Sequence, residues 1–208
     1  MSAAPIRIAL IGCGRHSRTV VEPALRLAAL QVVATCSRHD APWLTGIPHY
    51  AGHRQLLAAV TTGLDACIVV LPAAAYGETL VDILAAGLPV WCEKPAAADA
   101  TEAQMLEDAV RRHAVPLMVG YNKRFAPAYM MAKSAMQLPD FGGPTSFFGK
   151  FMMGAGHYDT EADYLIDNPV HIIDLARHFM GEIAEVTARR AASPRGQWSY
   201  AVTLRFAT

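Results

Sequence analysis

The sequence has no excess charge of either sign and no long apolar run. Its 18 basic and 18 acidic residues cancel, so the chain as a whole lacks the basic field that binds nucleic acid or an anionic membrane surface. Apolar stretches such as residues 66–72, ACIVVLP, are far shorter than the ~20 residues that span a bilayer, and the N-terminal segment lacks the pattern of a signal peptide. The sequence predicts a soluble, cytoplasmic protein with a small-molecule partner and neither a nucleic-acid nor a membrane partner.

Cysteine is also scarce. The four cysteines lie at least 23 positions apart, without the paired spacing of metal ligands, and each is in or beside an apolar run. This pattern favours buried free thiols over a disulfide framework and predicts no metal site. No internal repeat or low-complexity segment is present. The 208 residues suffice for one large domain, or for one complete domain and part of another.

Up to about residue 120, short β-rich apolar runs alternate with longer periodic segments rich in alanine and leucine. The order strand, helix, strand, helix predicts a doubly wound parallel sheet. The nearly continuous apolarity of the strands indicates that helices cover both faces. Asp99 or Thr101 is predicted to cap one helix, and Glu102, three residues after Asp99, predicts a capping box with Asp99. The predicted strands are residues 6–12, 31–37, 66–72, 89–93 and 116–121.

After Tyr121 the pattern changes, and a second domain is predicted over residues 121–208. Its predicted elements are a helix after Pro127, an aromatic strand at 146–153, a helix capped by Asn168 and ended by Gly181, and two strands joined by a loop at 192–197. The sequence ends just after the last predicted strand, whose backbone groups would be exposed at a sheet edge. We therefore expect a shortened or truncated domain whose edge pairs with another copy, in a homo-oligomer, or with a further segment.

The first predicted strand leads directly into GCGRHS, residues 12–17, which has two of the three glycines of a dinucleotide-binding turn. Gly12 permits a tight turn, and Gly14 lets the backbone approach a pyrophosphate. The amides that open the next helix, around Arg15 and His16, face its negative charge. Ser17 takes the place of the third glycine. An ordinary strand-to-helix turn is the alternative, but the position at the start of an alternating chain favours cofactor binding.

The end of the second predicted strand lacks the acidic residue that usually receives the ribose hydroxyls of NAD. It has Ser37, which can hydrogen-bond a 2′-phosphate, and Arg38, which can neutralise it. The sequence therefore predicts NADP as the preferred cofactor, ahead of NAD. A solvated surface arginine is the alternative interpretation of Arg38.

A charge pair follows the fourth predicted strand in VWCEKPAAAD, residues 90–99. Ligands of an open parallel sheet lie beyond the carboxyl ends of its strands, so Glu93 and Lys94 are predicted to contact the cofactor, together with Leu71 and Pro72. Pro95 fixes its own φ and biases Lys94 toward an extended backbone, which presents the ammonium group reproducibly. A solvated ion pair at a strand end is the alternative.

The chain resembles the Gfo/Idh/MocA family of glucose-fructose oxidoreductase, inositol dehydrogenase and rhizopine-catabolism proteins. The matching motifs, in order, are GCGRHS, LDACIVVLP, AAGLPVWCEKPAA, GYNKRFAPAY and DNPVHIIDLARHFMGE. The resemblance implies an NAD(P)-binding Rossmann domain over residues 1–120. It also implies an α+β domain over residues 121–208, with a mainly antiparallel sheet, for substrate binding and oligomerisation. The implied activity is that of an NAD(P)-dependent dehydrogenase or reductase, which transfers hydride between nicotinamide and a sugar, cyclitol or related carbonyl compound.

The resemblance also implies three catalytic residues. Lys94 matches the lysine of the family's EKP motif, and Asp167 and His171 match an acid four positions before a histidine. In the implied mechanism His171 moves the hydroxyl proton, Lys94 stabilises alkoxide character, and Asp167 positions substrate or tunes the histidine. Asp167 also fits a carboxylate that merely begins a helix, and His171 a structural histidine on a polar face.

Helical periodicity supports the assignment of His171 as a catalytic residue. His171, Asp174 and His178 share one side of the predicted helix, and apolar residues that include Ile173 share the other, so the imidazole is expected to face away from the core. Asp174 is expected to orient the imidazole or to cap a neighbouring donor. The predicted substrate-binding residues at the exit of the first domain are Tyr121, Asn122 and Arg124.

Two departures from the family pattern leave other functions open. Ala73 and Tyr76 stand where many relatives have asparagine and histidine, and the glycine-rich stretch that often precedes the acid is absent. A non-typical substrate is therefore expected. The alternatives are transient oxidation by bound nucleotide during elimination or glycoside cleavage, and a non-catalytic nucleotide-binding sensor.

Overall fold

The computed structural model describes residues 4–207 apart from 29, 40, 153–157, 159 and 194–196. The chain divides into two compact units, Met1–Gly120 and Tyr121–Thr208. Across the described ranges, no helix is long and apolar enough to cross a membrane.

The first unit is built on a parallel sheet. Its elements are β1 Ile6–Ile11, a π-helical turn Ser17–Val21 that leads into α1 Glu22–Leu27, β2 Leu30–Cys36, β3 His49–Tyr50, α2 His53–Val60, β4 Ala66–Val69, α3 Tyr76–Ala85, β5 Val90–Cys92, α4 Ala100–His113 and β6 Leu117–Val119. The strand order is β3-β2-β1-β4-β5-β6, and every neighbouring pair is parallel. This is the doubly wound order, in which chain crossovers run through helices.

Alternate residues of β1 lie on opposite faces of this sheet, and both faces are buried. Ile8 and Leu10 belong to the cluster that α1 covers, whereas Ala9 and Ile11 belong to the cluster that α2, α3 and α4 cover. The predicted doubly wound sheet is therefore confirmed. The short strand β3 was not predicted, because two residues carry no periodic signal.

The predicted capping box begins α4. The backbone N–H of Glu102 donates to Asp99 Oδ1 at 2.9 Å, and Glu102 Oε2 accepts from the backbone N–H of Ala98 at 2.6 Å. The first bond satisfies a donor that the helix start would otherwise leave unpaired, whereas the second reaches the residue before the N-cap, one position earlier than in a standard capping box. They also anchor the segment that follows Lys94.

The second unit combines helices with an antiparallel ribbon. Its elements are a 3₁₀ turn Asn122–Phe125, α5 Pro127–Ala135, a 3₁₀ turn Pro139–Phe141, α6 Glu161–Asp167, α7 Val170–Met180, β7 Ile183–Ala192 and β8 Trp198–Phe206. β7 and β8 pair antiparallel over their length, which confirms the predicted antiparallel sheet. Of the predicted loop at 192–197, residues 194–196 lie outside the described part of the chain.

The aromatic strand predicted at 146–153 is not formed. Residues 146–152 have no regular structure, and residue 153 lies outside the described residues. Two aromatic rings of this segment instead pack individually on α7: the rings of Phe147 and Phe179 are stacked, with centroids 6.1 Å apart, and the ring of Phe151 lies 6.3 Å from that of His171. Phe148 is exposed. Gly149 permits this approach, because a Cβ there would lie 2.5 Å from Cγ1 of Ile172.

The polar side of α7 is more buried than periodicity predicted. Asp174 is 5% exposed, whereas Ile173, expected in the core, is 42% exposed. The expectation that this polar side faces away from the core is therefore wrong. The physical reason is that Arg124 supplies a counter-charge to Asp174, so that the carboxylate is buried as an ion pair.

The two ends of α7 differ in how well sequence predicted them. Gly181, with φ of +95°, ends the helix as predicted. The side chain of Asn168 does not cap it. Its amide donates to the phenol oxygen of Tyr158, and only its backbone carbonyl serves α7, accepting from the N–H of His171 at 3.4 Å.

Candidate cofactor-binding and catalytic residues

Gly12 makes a turn that no other residue could make. Its φ is +90°, and a Cβ built on it would lie 1.9 Å from the backbone oxygen of Val70. Its N–H donates to the carbonyl of Cys36 at 2.7 Å. The end of β1 is thus held against the ends of β2 and β4, and this close approach requires glycine.

The rest of the loop leaves space for a ligand. Gly14, Arg15 and His16 are exposed, and a Cβ on Gly14 would meet nothing within 4 Å. Ser17, at the place of a third glycine, is fully buried, and its hydroxyl donates to the carbonyl of Gly12 at 2.5 Å. The loop is therefore closed on its core side and open on the side of Gly14, which fits the approach of a pyrophosphate.

Residues predicted from separate motifs meet at the carboxyl end of the sheet. His16 Nε2 lies 3.3 Å from Glu93 Oε1, so the loops after β1 and β5 meet across the end of β4. Glu93 is held by its N–H, which donates to the carbonyl of Val69 at 2.9 Å. Its Oε2 accepts from the backbone N–H of Lys94 at 3.2 Å. Lys94 itself is half-buried, and its peptide bond to Pro95 is cis.

Tyr76 supports the loop that carries Leu71 and Pro72. Its side chain is fully buried, and its hydroxyl accepts from the N–H of Leu71 at 3.1 Å and donates to the carbonyl of Val69 at 3.4 Å. Burial raises the pKa of Tyr76, so the phenol stays protonated and keeps both bonds. Tyr76, which departs from the family pattern, is therefore a structural residue that holds the backbone after β4. Ala73 begins the next 3₁₀ turn.

The turn after β2 presents Arg38 more freely than Ser37. The N–H of Ser37 donates to the carbonyl of Tyr50 at 3.1 Å, and its hydroxyl donates to the carbonyl of His39. His49, which sequence reasoning missed, fixes this turn: its Nε2 lies 3.1 Å from the carbonyl oxygen of Ser37. Arg38 is exposed. Of the two predicted phosphate contacts, only Arg38 has a donor that is not already committed within the turn.

In the second unit, the acid predicted to be catalytic has a tyrosine partner. The hydroxyl of Tyr158 donates to Asp167 Oδ2 at 2.6 Å, and the amide of Asn168 donates to the same phenol oxygen. Burial and the bond to Asp167 raise the pKa of Tyr158. Sequence reasoning missed Tyr158, because it lies outside every periodic element and nine residues before the acid.

Asp174 is paired with Arg124. One edge of the guanidinium binds the carboxylate through two N–H groups, with Nε 2.8 Å from Oδ2 and Nη2 2.5 Å from Oδ1. This pairing raises the pKa of Arg124. Because the Nε and Nη2 groups are committed to the carboxylate, Arg124 ties its 3₁₀ turn to α7. The guanidinium also lies 5.7 Å from the ring centroid of Tyr121, and Asn122 is an exposed residue of the same turn.

The candidate residues thus fall into two groups, one in each unit. The group in the first unit follows the carboxyl ends of β1, β2, β4 and β5, and the group in the second unit lies around α7 and the turn that precedes α5. The strand order and the glycine turn of the first unit define a protein of the NAD-binding Rossmann class.

Comparison with known proteins specifies the family. Residues 6–121, more than half of the chain, match the Gfo/Idh/MocA model, described as an oxidoreductase family with an NAD-binding Rossmann fold. The chain therefore belongs to the Gfo/Idh/MocA family, and the resemblance found in the sequence is confirmed.

The matches to curated relatives cover only part of each relative's sequence. The chain is 29% identical to inositol 2-dehydrogenase of Streptomyces avermitilis over 90% of this chain and 56% of that protein. It is 30% identical to the NAD⁺-dependent scyllo-inositol 2-dehydrogenase of Bacillus subtilis over 61% of this chain and 37% of that protein. The chain thus spans between about a third and somewhat more than half of these relatives.

Solved structures share the fold over nearly the whole chain. A dehydrogenase from Chromobacterium violaceum has a TM-score of 0.82 at 23% identity, covering 98% of this chain and 63% of its own. The WlbA dehydrogenase of the same organism, solved with NADH and UDP-GlcNAcA, has a TM-score of 0.79 at 20% identity, covering 99% and 65%.

Proposed function

We propose that the chain is part of an NAD(P)-dependent oxidoreductase that transfers hydride between nicotinamide and a hydroxyl or carbonyl group of a sugar or cyclitol. The observation that carries the proposal is the loop from Gly12 to Ser17, closed on the core side and open at Gly14, with Glu93 and Lys94 at the same edge of the sheet. Relatives named as inositol dehydrogenases support the substrate class.

In this proposal residues 1–120 bind the cofactor. The exposed backbone around Gly14, Arg15 and His16 faces the pyrophosphate, Leu71 and Pro72 form one wall, and Glu93 contacts ribose. Residues 121–208 supply substrate contacts, and Tyr121 and Asn122 are proposed to touch the substrate directly. Arg124 contributes by holding their turn on α7.

The proposed chemistry divides between the cofactor and the side chains. A bound nicotinamide supplies or accepts hydride at the substrate carbon. The imidazole of His171 accepts the hydroxyl proton during oxidation and returns it during reduction, since imidazole exchanges protons in both directions near neutral pH. The ammonium group of Lys94 stabilises negative charge on the reacting oxygen. Asp167 orients the substrate or the imidazole.

Substrate-dependent turnover tests the proposal. The purified protein is incubated with NAD⁺ or NADP⁺ and a panel that includes myo-inositol, scyllo-inositol, apiose and common aldoses, and absorbance follows the reduced cofactor. Oxidation of at least one polyol supports the proposal. Cofactor binding without turnover of any panel member would instead favour a nucleotide sensor, and product formation without net cofactor reduction would favour elimination or glycoside cleavage.

For cofactor choice we propose a preference for NADP that rests on Arg38. One charge-assisted contact to a 2′-phosphate contributes ~1.5–3 kcal/mol, roughly ten- to a hundredfold in affinity. Arg38→Ala is therefore expected to remove most of the preference for NADP and to leave NAD binding nearly unchanged. Ser37→Ala should change little, since its hydroxyl is engaged with His39.

Titrations of both cofactors against the parent and the variants measure this preference. Arg111→Ala is the matched control, because Arg111 is an exposed arginine on α4 paired with Glu107. Equal or tighter binding of NAD by the parent protein would contradict the assignment of Arg38.

We further propose a homo-oligomer formed through the ribbon of β7 and β8. One face of the ribbon packs Trp198 and Tyr200 against Tyr164 of α6. The same face continues to Val186 and Val202, which are 59% and 52% exposed. Burial of such an apolar strip against a second copy would stabilise the pair. Sedimentation at increasing concentration should show association that Val202→Glu abolishes; a monomer throughout would contradict it.

A further inference from the structure

We propose that Tyr158 is a positioning residue for Asp167: its phenol holds the carboxylate in one orientation and in its charged form. The role in catalysis rests on the oxidoreductase function proposed above. The hydrogen bond itself is a property of the second unit and can be tested without turnover.

The bonds around the phenol have a defined direction. The amide N–H of Asn168 donates to the oxygen of Tyr158, and the hydroxyl of Tyr158 donates to Asp167 Oδ2 at 2.6 Å. Because an amide N–H can only donate, the phenol proton must serve the carboxylate. Asn168 is 7% exposed, so its amide is fixed inside the unit. The two consecutive hydrogen bonds, from the amide to the phenol and from the phenol to the carboxylate, therefore fix the side chain of Asp167.

A group of aromatic rings holds Tyr158 in place. Its ring meets the ring of Tyr164 edge-on, with centroids 5.8 Å apart and planes at 73°. Tyr164 stacks on Tyr200 at 6.4 Å and contacts Trp198 at 6.0 Å. Tyr164 lies on α6, the helix that ends at Asp167, so the same helix carries the acid and the ring that supports its partner. Such packing reduces the conformational entropy lost when the hydrogen bond forms.

Protonation states favour this arrangement. Burial and then the bond to Asp167 raise the pKa of Tyr158, so the phenol remains a donor throughout the neutral range. A hydrogen bond donated to a carboxylate stabilises its charged form. Among the described residues, Tyr164 also acts on Tyr158, and its charge adds to the raised pKa of Tyr158. His171 follows four residues after Asp167 along the chain.

Tyr158→Phe removes the hydroxyl and keeps the ring. We expect kcat/KM to fall about tenfold and the acid limb of its pH profile to move up by about one pH unit, because the carboxylate loses the donor that favours its charged form. In the double variant Tyr158→Phe/Asp167→Asn the loss should be no larger than in Asp167→Asn alone. Tyr164→Phe, which removes a phenol from the neighbouring ring, is the matched control and should keep the parent profile. A uniform loss of rate with an unmoved pH profile would overturn the proposal.

A second measurement tests the hydrogen bond between Tyr158 and Asp167 and does not require turnover. With ¹³C-labelled aspartate, the carboxyl resonance that disappears in Asp167→Asn is followed through a pH titration, and it should titrate at higher pH in Tyr158→Phe than in the parent. Reciprocally, Asp167→Asn should lower the pH at which one tyrosine ionises, followed by tyrosinate absorbance. An unchanged carboxyl titration would overturn the role of Tyr158. If instead the coupling is seen and the parent oxidises no polyol, the proposed function fails and the coupling stands.

Discussion

Lys94→Ala and His171→Ala are each expected to lower kcat by ~100-fold or more, with a much smaller change in cofactor affinity. Lys94 follows Glu93, whose N–H donates to the carbonyl of Val69 at the end of β4 and whose carboxylate accepts from the N–H of Lys94. The ammonium group of Lys94 is therefore presented from a fixed segment. His171 lies in the first turn of α7, next to the ring of Phe151. Loss of the ammonium removes the stabilisation of an oxyanion, and loss of the imidazole removes the proton acceptor.

Steady-state kinetics and cofactor titration together check this expectation. Lys150→Ala and His113→Ala are suitable controls, since neither residue belongs to the proposed site. Lys94→Arg keeps the charge but replaces a compact ammonium with a planar fork, so it should recover only part of the rate. A rate near that of the parent in either alanine variant would exclude the catalytic role of that residue. Parallel loss of cofactor binding would point to a structural role for His171, and to cofactor contact in place of catalysis for Lys94.

The first unit was predictable because its signals are local. In β1, residues 8–11 are apolar at every position, since both faces of a central parallel strand are buried, and a helix follows them. The cap at Asp99 depends on Glu102, three positions away. Gly12 was recognised from the glycine spacing of its own loop, although the contacts that require it come from Cys36 and Val70. The strand β3 was missed because a two-residue strand is defined only by its pairing with β2.

The second unit was less predictable because partners distant in sequence decide it. The buried side of α7 depends on Arg124, 50 residues before Asp174, and periodicity alone placed that side away from the core. The segment 146–152 is rich in aromatic residues like a strand, yet Phe147 and Phe151 pack separately against α7. Tyr158 has no signature in sequence, since its importance arises only when the chain places its hydroxyl on Asp167.

Gly12→Ala is expected to reduce the free energy of unfolding by at least ~3 kcal/mol and to abolish measurable cofactor binding. Two effects add. A φ of +90° is unfavourable for any residue with a Cβ, and that Cβ would lie 1.9 Å from the backbone oxygen of Val70, which cannot move aside as a side chain could. The ends of β1 and β4 must therefore separate, and the loop that faces the pyrophosphate is lost with them.

Two other glycines separate these effects. Gly46 has φ of +75° and open space around it, so Gly46→Ala should show only the cost of the left-handed backbone, ~1–2 kcal/mol, with cofactor binding retained. Gly14 has open space and no positive φ, so Gly14→Ala should keep the parent stability while weakening cofactor binding, because the methyl group occupies the approach of the pyrophosphate. Thermal unfolding and cofactor titration of the three variants measure both quantities. A Gly12→Ala protein that unfolds at the parent temperature would contradict the steric argument at Gly12. A Gly14→Ala protein that binds the cofactor as tightly as the parent would show that the loop does not hold the cofactor as proposed.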